Sequence, residues 1–208
     1  MFKPIILSFL LIVQIYSIAQ KKDLFDETQF KYLKLRNRVF RAPVIDCESW
    51  VNGRLTDAFY RRYQELSKNE VGTIITGQML ISDDKEYENM VRINKDEYIE
   101  DFKKLTDLVH KNGANIFMQL VHIGMNTMST SETIYAPSSL PIEGQNRNSK
   151  EMTKEDILRI ENDFAEAALR AKKAGFDGVE IHGAHFYLIS EFLSPVTNHI
   201  NDEYGGID

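Results

Sequence analysis

At 208 residues, with 43% hydrophobic and 27% charged side chains, the chain has the make-up of an ordinary globular protein able to bury one good core, and not of a disordered or collagen-like one. A formal net charge of -6 argues against non-specific nucleic-acid binding, which needs basic patches to neutralise phosphates. Cys47 is the only cysteine, which excludes an intramolecular disulfide, a cysteine-built zinc site and an iron–sulfur cluster held by this chain alone.

Lys3 precedes an apolar run from Ile5 to Val13 that continues weakly to Ile18, and Ser17 and Ala19 place small residues at the third-last and last positions before Gln20. This layout predicts a signal peptide over 1–19, with no stable membrane span once it is removed. The alternative is an uncleaved apolar arm packed on a cytoplasmic protein, and the compartment stays open between the two. No twin-arginine pair is present.

Beyond Lys21 strand-like and helix-like segments alternate, and the sequence predicts four strands near 38–44, 71–76, 114–121 and 178–182. A helix opening at Thr56 puts Phe59, Tyr63 and Leu66 on one face. Another, from about Asp96 to Lys111, buries Ile99, Phe102, Leu105 and Val109, and Gly113 stands at its C-terminal turn. Thr153 and Asp156 have capping-box spacing and open a helix with Ile157, Ile160, Phe164, Ala168 and Ala171 inward, stopped by Gly175. The stretch from His122 to Met152 has no clear periodicity and reads as a lid.

Alternating strands and helices predict a parallel sheet with covering helices, either an open doubly wound sheet or part of a (β/α)8 barrel. No G-x-G-x-x-G follows Val44, which weighs against a dinucleotide fold. Polar residues gather where the predicted strands end: Asp46 and Glu48, Gln78, His122, then His182 and His185. Barrel enzymes build their sites at those ends. The expected fold is therefore α/β, a partial (β/α)8 TIM barrel of about four β/α units over 23–208, preceded by the apolar N-terminal segment.

Two imidazoles three residues apart could share a metal ion, but no carboxylate, cysteine or third histidine sits at a convincing partner spacing, so no metal is expected. A hydrogen-bonded histidine pair ending a buried strand is the plainer alternative. The segment AGFDGVEIHGAHFYLISEFLSPVTNHINDEYGG, from Ala174 to Gly206, is sharper. It resembles the old yellow enzyme (NADH:flavin oxidoreductase) family in its His-x-x-His pair, a tyrosine two residues on, Leu-Ser-Pro, Asn and Asp-Glu-Tyr-Gly-Gly. Asn37-Arg38-Val39 with Ala42-Pro43, Ile75-Thr76-Gly77 and Gln119-Leu120-Val121-His122 match the family's first three strands in order, so the likeness runs from about 24 to 208.

That resemblance implies a flavoprotein with FMN as cofactor and NADH or NADPH as reductant, passing hydride to a small-molecule electron acceptor such as an electron-poor alkene. It implies that His182 and His185 stabilise negative charge on the acceptor's oxygen and that Tyr187 is the general acid. Gln119 would hydrogen-bond the flavin, Gly77 would let backbone approach it, and Pro43, Val44 and Ile45 would line it, with His182 close by. There are departures: Ile45 stands where relatives carry threonine or cysteine, Phe186 replaces a glycine beside the acid, and Ile200 replaces an arginine. Four units are half a barrel; the simplest account is an incomplete gene or a split sequence, and the alternative is self-association of two halves or a complementing C-terminal half. The alternatives to an active enzyme are a remnant that binds little and, further off, a metal-dependent barrel lyase.

Overall fold

The computed structural model describes residues 23–45, 53–82, 90–127, 129, 131 and 133–205. The predicted signal peptide, Asp46, Cys47 and Glu48 lie outside them.

The described chain opens with an antiparallel hairpin, β1 (Thr28–Phe30) and β2 (Leu33–Leu35), turned by Lys31 at φ 52. Four strands then build one parallel sheet: β3 (Phe40–Arg41), β4 (Thr73–Leu80), β5 (Asn115–Val121) and β8 (Gly178–Ile181), in the spatial order β3-β4-β5-β8. Each β/α crossover adds its strand on the same side of the last. A doubly wound sheet reverses its direction at a switch point, and this one does not.

The crossovers are α1 (Asp57–Lys68), α2 (Ile99–Lys111), which follows a 3-10 turn at Asp96–Tyr98, and α3 (Lys154–Lys173). They form one layer, and their buried Phe59, Tyr63, Phe102, Leu105, Val109, Ile157 and Ile160 share a core with Ile74, Ile116 and Met118 of the sheet. Strand alternation turns Ile75 and Phe117 to the other face, which carries no helix among the described residues.

The expected elements are present, with instructive shifts at their ends. The first strand, predicted over 38–44, forms a ladder only at Phe40 and Arg41. Asn37 Oδ1 takes the Val39 amide, and Pro43 has no N–H to give. The second, predicted to end at 76, runs on to Leu80 through a register shift between Ile75 and Gln78. Gly77 lies inside that bulge, so Gln78 belongs to the strand and not to the loop after it.

Thr56 does cap α1, its Oγ1 accepting from the Phe59 amide at 3.3 Å, but the buried face closes on Ser67 and leaves Leu66 half-buried. The capping box of α3 forms as expected, and Ala167 takes the fully buried place expected of Ala168. Gly113 and Gly175 end their helices at φ 79 and 88, a backbone region that favours glycine.

The predicted lid is more organised than its sequence implies. Between 122 and 152 lie a parallel pair, β6 (Tyr135–Ala136) and β7 (Lys150–Glu151), and an antiparallel bridge between Pro141 and Asn148. Ile134, Ala136, Ile142 and Met152 are buried, and Ser149 Oγ donates to the Ser138 carbonyl. Pairing partners fifteen residues apart leave no local period to read. A short helix, α4 (Leu188–Phe192), follows the last strand. No helix among the described residues is long and apolar enough to cross a membrane.

Candidate functional site

The C-terminal ends of the four parallel strands meet around a cleft of about 290 Å³. Pro43, Val44 and Ile45 enter it from beyond β3, and Val44 and Ile45 keep 55% and 43% of their surface open to it and to solvent. Gln119 reaches it from β5, and His182, His185 and Tyr187 from the turn after β8. Of the residues predicted for the site, Gly77 alone is not on this wall. Its amide donates to Tyr63 Oη at 3.2 Å on the helix side, so it shapes the β4 bulge instead.

The turn after β8 is what brings a strand-end histidine, a second histidine and a tyrosine together. His185 and Phe186 both take left-handed backbone, at φ 59 and 53, a conformation that costs non-glycine residues about 1–2 kcal/mol each. The surroundings hold it: the Tyr187 amide donates to the Ala184 carbonyl at 3.1 Å, and Asn126 Nδ2 donates to the His185 carbonyl at 2.8 Å. Phe186 consequently points away from the cleft, 66% exposed, along a separate cavity of about 600 Å³ beside Met125 and Asn126. The bulk expected beside the acid is displaced by this backbone twist.

His185 stands edge-on to both other rings, while His182 and Tyr187 are tilted; the His182 centroid lies 5.0 Å from that of His185 and 4.9 Å from that of Tyr187. His182 Nδ1 accepts from the Ala184 amide at 3.2 Å, so in the neutral ring the proton sits on Nε2. That nitrogen lies 3.1 Å from His185 Nδ1 and donates to it, which leaves the second proton of the pair on His185 Nε2. Burial holds His182 below the ordinary histidine range, and the His185 ring acts in the same direction against a smaller opposite pull from Glu180. His182 is therefore neutral near pH 7 and offers a donor without adding positive charge.

Two side chains that the motifs did not single out complete the wall. Gln119 Nε2 donates to Glu180 Oε1 at 2.7 Å, and Gln78 Nε2 approaches Tyr187 Oη at 3.5 Å. Glu180 was readable by period, since it lies two residues before His182, hence on the same face of β8, inside an otherwise apolar Gly-Val-Glu-Ile, whereas Gln78 comes to the cleft beyond the register shift in β4. His122, by contrast, is buried outside the cleft, where its Nδ1 accepts the Gly124 amide. Behind the turn, buried Glu191 accepts the Met125 amide at 2.8 Å and so ties the loop after β5 to α4. Among the described residues no group of three or more His, Cys, Asp or Glu side chains is placed to hold a metal.

Apolar Val44, Ile45 and Ile181 beside the amides of Gln78 and Gln119 suit a flat ring with a polar edge. At about 290 Å³ the cleft lies at the low end of the range for small-molecule sites, room for a ring system but not for a whole nucleotide.

Residues 23–208 match the model of the NADH:flavin oxidoreductase / NADH oxidase family. The NADPH dehydrogenase of Bacillus velezensis is 37% identical over 187 residues, 89% of this chain and 55% of that protein. Among solved structures, the old yellow enzyme from Pichia superposes with a TM-score of 0.80 at 29% identity, covering 90% of this chain and 52% of that one. Morphinone reductase in complex with tetrahydroNAD also gives 0.80, at 29% identity over 89% and 56% of the two chains. This chain spans about half the length of the relatives that it matches. The parallel β/α sheet, the cleft at its strand ends and the match over nearly the whole described length have one meaning: the chain belongs to the NADH:flavin oxidoreductase / NADH oxidase family.

Proposed function

We propose that these residues are the first four units of a (β/α)8 barrel, and that the protein they serve reduces an electron-poor alkene or similar acceptor with NADH or NADPH through FMN. The observation that carries the reading is the convergence of His182, His185, Tyr187 and Gln119 on one cleft at the strand ends. Bound FMN would supply the hydride chemistry, accepting from the nicotinamide and returning to the acceptor. Pro43, Val44 and Ile45 would hold one edge of its ring, and Gln119 would present an amide to it.

The chain's own contribution is electrostatic and protic. As hydride reaches the β-carbon of an enone, negative charge grows on the acceptor's oxygen, and imidazole N–H groups aimed there lower the barrier. For His182 to point at that oxygen its bond to His185 must open, a rearrangement that the acceptor itself would drive. Tyr187 would deliver the proton to the α-carbon, its phenolic O–H being a donor that sits beside the same two rings. An exported form remains tied to the predicted signal peptide, and N-terminal sequencing of secreted material beginning at Gln20 would establish it.

The test uses the chain completed by a matching C-terminal half. FMN uptake is read by the flavin's visible absorbance, and the two half-reactions are followed separately. Tyr187→Phe should leave reduction by the nicotinamide nearly unchanged and slow enone reduction about a hundredfold to ten-thousandfold, the usual cost of losing a general acid. Parent-like enone reduction in that variant would remove Tyr187 from the role.

A further inference from the structure

An unbroken pleat would not bring Gln78 to the cleft. In β4, Ile74 turns to the helices and Ile75 to the other face, so strict alternation would send Thr76 and Gln78 to the helix side. The ladder shows otherwise. Ile75 stands opposite Phe117 and Gln78 opposite Gln119, three steps along β4 against two along β5. The extra residue is a bulge, and a bulge re-aims the side chains that follow it. Gln78 thereby joins Gln119 and Glu180, paired in the same row of the sheet, on the cleft wall.

The bulge is held from several sides. Thr76 Oγ1 donates to the Gly77 carbonyl at 2.8 Å and accepts the Gln119 amide at 3.2 Å, while the Gly77 amide donates to Tyr63 Oη at 3.2 Å. Thr76, Gly77 and Tyr63 are all buried, so Gln78 starts from a fixed backbone.

Within the row the two amides have different partners. Gln119 gives its Nε2 to Glu180 Oε1 at 2.7 Å, whereas Gln78 Nε2 is directed at Tyr187 Oη, 3.5 Å away. Among the described residues no other hydrogen bond reaches that oxygen. The contact is long, of the kind that tightens once a substrate fills the site. A phenol oxygen carries one hydrogen and accepts elsewhere, so an N–H arriving from β4 turns the phenol's own hydrogen away from that strand.

We propose that Gln78 is a positioning residue for Tyr187: its amide sets the direction of the phenolic hydrogen and stabilises the oxygen as that hydrogen leaves. The proposal rests on the reading of Tyr187 as general acid. In that step hydride from the reduced flavin forms the C–H bond at the acceptor's β-carbon, the flavin being oxidised and the acceptor reduced. The alkene's π pair shifts toward the carbonyl, the α-carbon takes the Tyr187 hydrogen as a proton, and the O–H electron pair stays on Oη until water returns a proton. An amide N–H holds a charged oxygen more strongly than a neutral phenol. Gln78 therefore contributes more to the transition state than to the ground state, which is the condition for raising a rate.

The experiment uses the flavin-loaded, completed protein and Gln78→Met, which keeps length and bulk and removes the donor. Two acceptors are compared: an enone, which needs a proton on carbon, and a quinone, whose oxygens take theirs from water. The enone-to-quinone ratio of turnover should fall about tenfold to a hundredfold, the range for a hydrogen bond to a charged acceptor, with the loss in kcat and not in KM. In the Tyr187→Phe background the same substitution should cost nothing more, because the oxygen it serves is gone. A second readout needs no turnover. With tyrosine labelled with carbon-13 at Cζ, the resonance that Tyr187→Phe lacks is that of Tyr187, and it should move in Gln78→Met. Should that variant melt early, Gln78→Glu takes its place, since it keeps the shape and, ionised, cannot donate.

A parent-like ratio in Gln78→Met would overturn the positioning role, and so would an equal loss in the Tyr187→Phe background. Enone reduction at the parent rate in Tyr187→Phe itself defeats the acid reading instead. In that case a resonance that moves in Gln78→Met still supports the hold on the phenol, and an unmoved one overturns it.

Discussion

His182 Nε2 and His185 Nδ1 lie 3.1 Å apart, so the two imidazoles that face the cleft satisfy each other before any acceptor arrives. Their roles are unequal, since His182 gives its proton to the pair and His185 keeps one free.

This inequality predicts the order of damage. In the flavin-loaded, completed protein, His185→Ala releases His182 as a donor and should weaken a phenol-type ligand about tenfold. His182→Ala removes a donor and the ring that sets the tautomer of His185, and should cost about a hundredfold, within the range for hydrogen bonds to charged acceptors. His185→Asn keeps an N–H and should bind nearly as the parent does. Titration of the flavin absorbance with the phenol measures all three, and equal losses for the two alanine variants would contradict the arrangement.

Arg36 predicts a stability effect far from the cleft. Its guanidinium donates to the carbonyls of Ser67 and Val71 at 2.8 and 2.7 Å and of Asn112 at 2.7 Å, joining the C-terminal ends of α1 and α2 to the segment before β3. Arg36→Met should destabilise the chain by about 2–4 kcal/mol, because three carbonyls lose a charged donor together. Arg36→Lys should recover part of this, a single ammonium being unable to span the same fork. Urea unfolding followed by circular dichroism would give both values.

Gly124 predicts a linked loss of stability and of site geometry. Its φ is 69, and a Cβ there would stand 2.5 Å from both carboxylate oxygens of buried Glu191. Gly124→Ala should cost roughly 2–4 kcal/mol from the left-handed backbone and the overpacking combined. It should also loosen the loop that carries Asn126 against His185, and so weaken phenol binding. A variant melting at the parent temperature would exclude this contact.

His110 predicts a pH dependence. Its Nε2 lies 2.9 Å from Asp177 Oδ2, and that hydrogen bond raises its pKa above 6.5, against a smaller lowering by burial. A raised folded-state value means that the pair's contribution is fully present below pH 6.5 and is lost as pH climbs through the folded value. His110→Gln should therefore lower the melting temperature at pH 6 and make little difference at pH 9. Both groups are partly exposed, so the effect is modest and shrinks with salt.

Much of this was open to reading along the chain. Helix starts at Thr56 and Thr153 and stops at Gly113 and Gly175 are local events, decided by a side-chain oxygen or a missing Cβ within one turn. The parallel strands announce themselves as apolar runs, and the residues predicted to line the site meet in one cleft because each lies at a strand's C-terminal end, except for Gly77. The shortness of β3 and the bulge in β4 were not readable, because they depend on Asn37 capturing an amide and on Tyr63 reaching across from a helix. The paired segments β6 and β7 were missed for a related reason: two residues each, far apart in the chain, leave no period.

The sequence alone determined which residue types stand at each strand end and in what order, since periodicity and capping are properties of neighbours along the chain. The tertiary structure alone decided their directions. It turned Phe186 out of the cleft through two left-handed residues, closed the His182–His185 bond, and set Glu180 at the border of an open apolar face. Those outcomes depend on contacts between residues brought together by the fold, such as Asn126 with His185 and Gln119 with Glu180, whose separations of 59 and 61 positions no local pattern encodes.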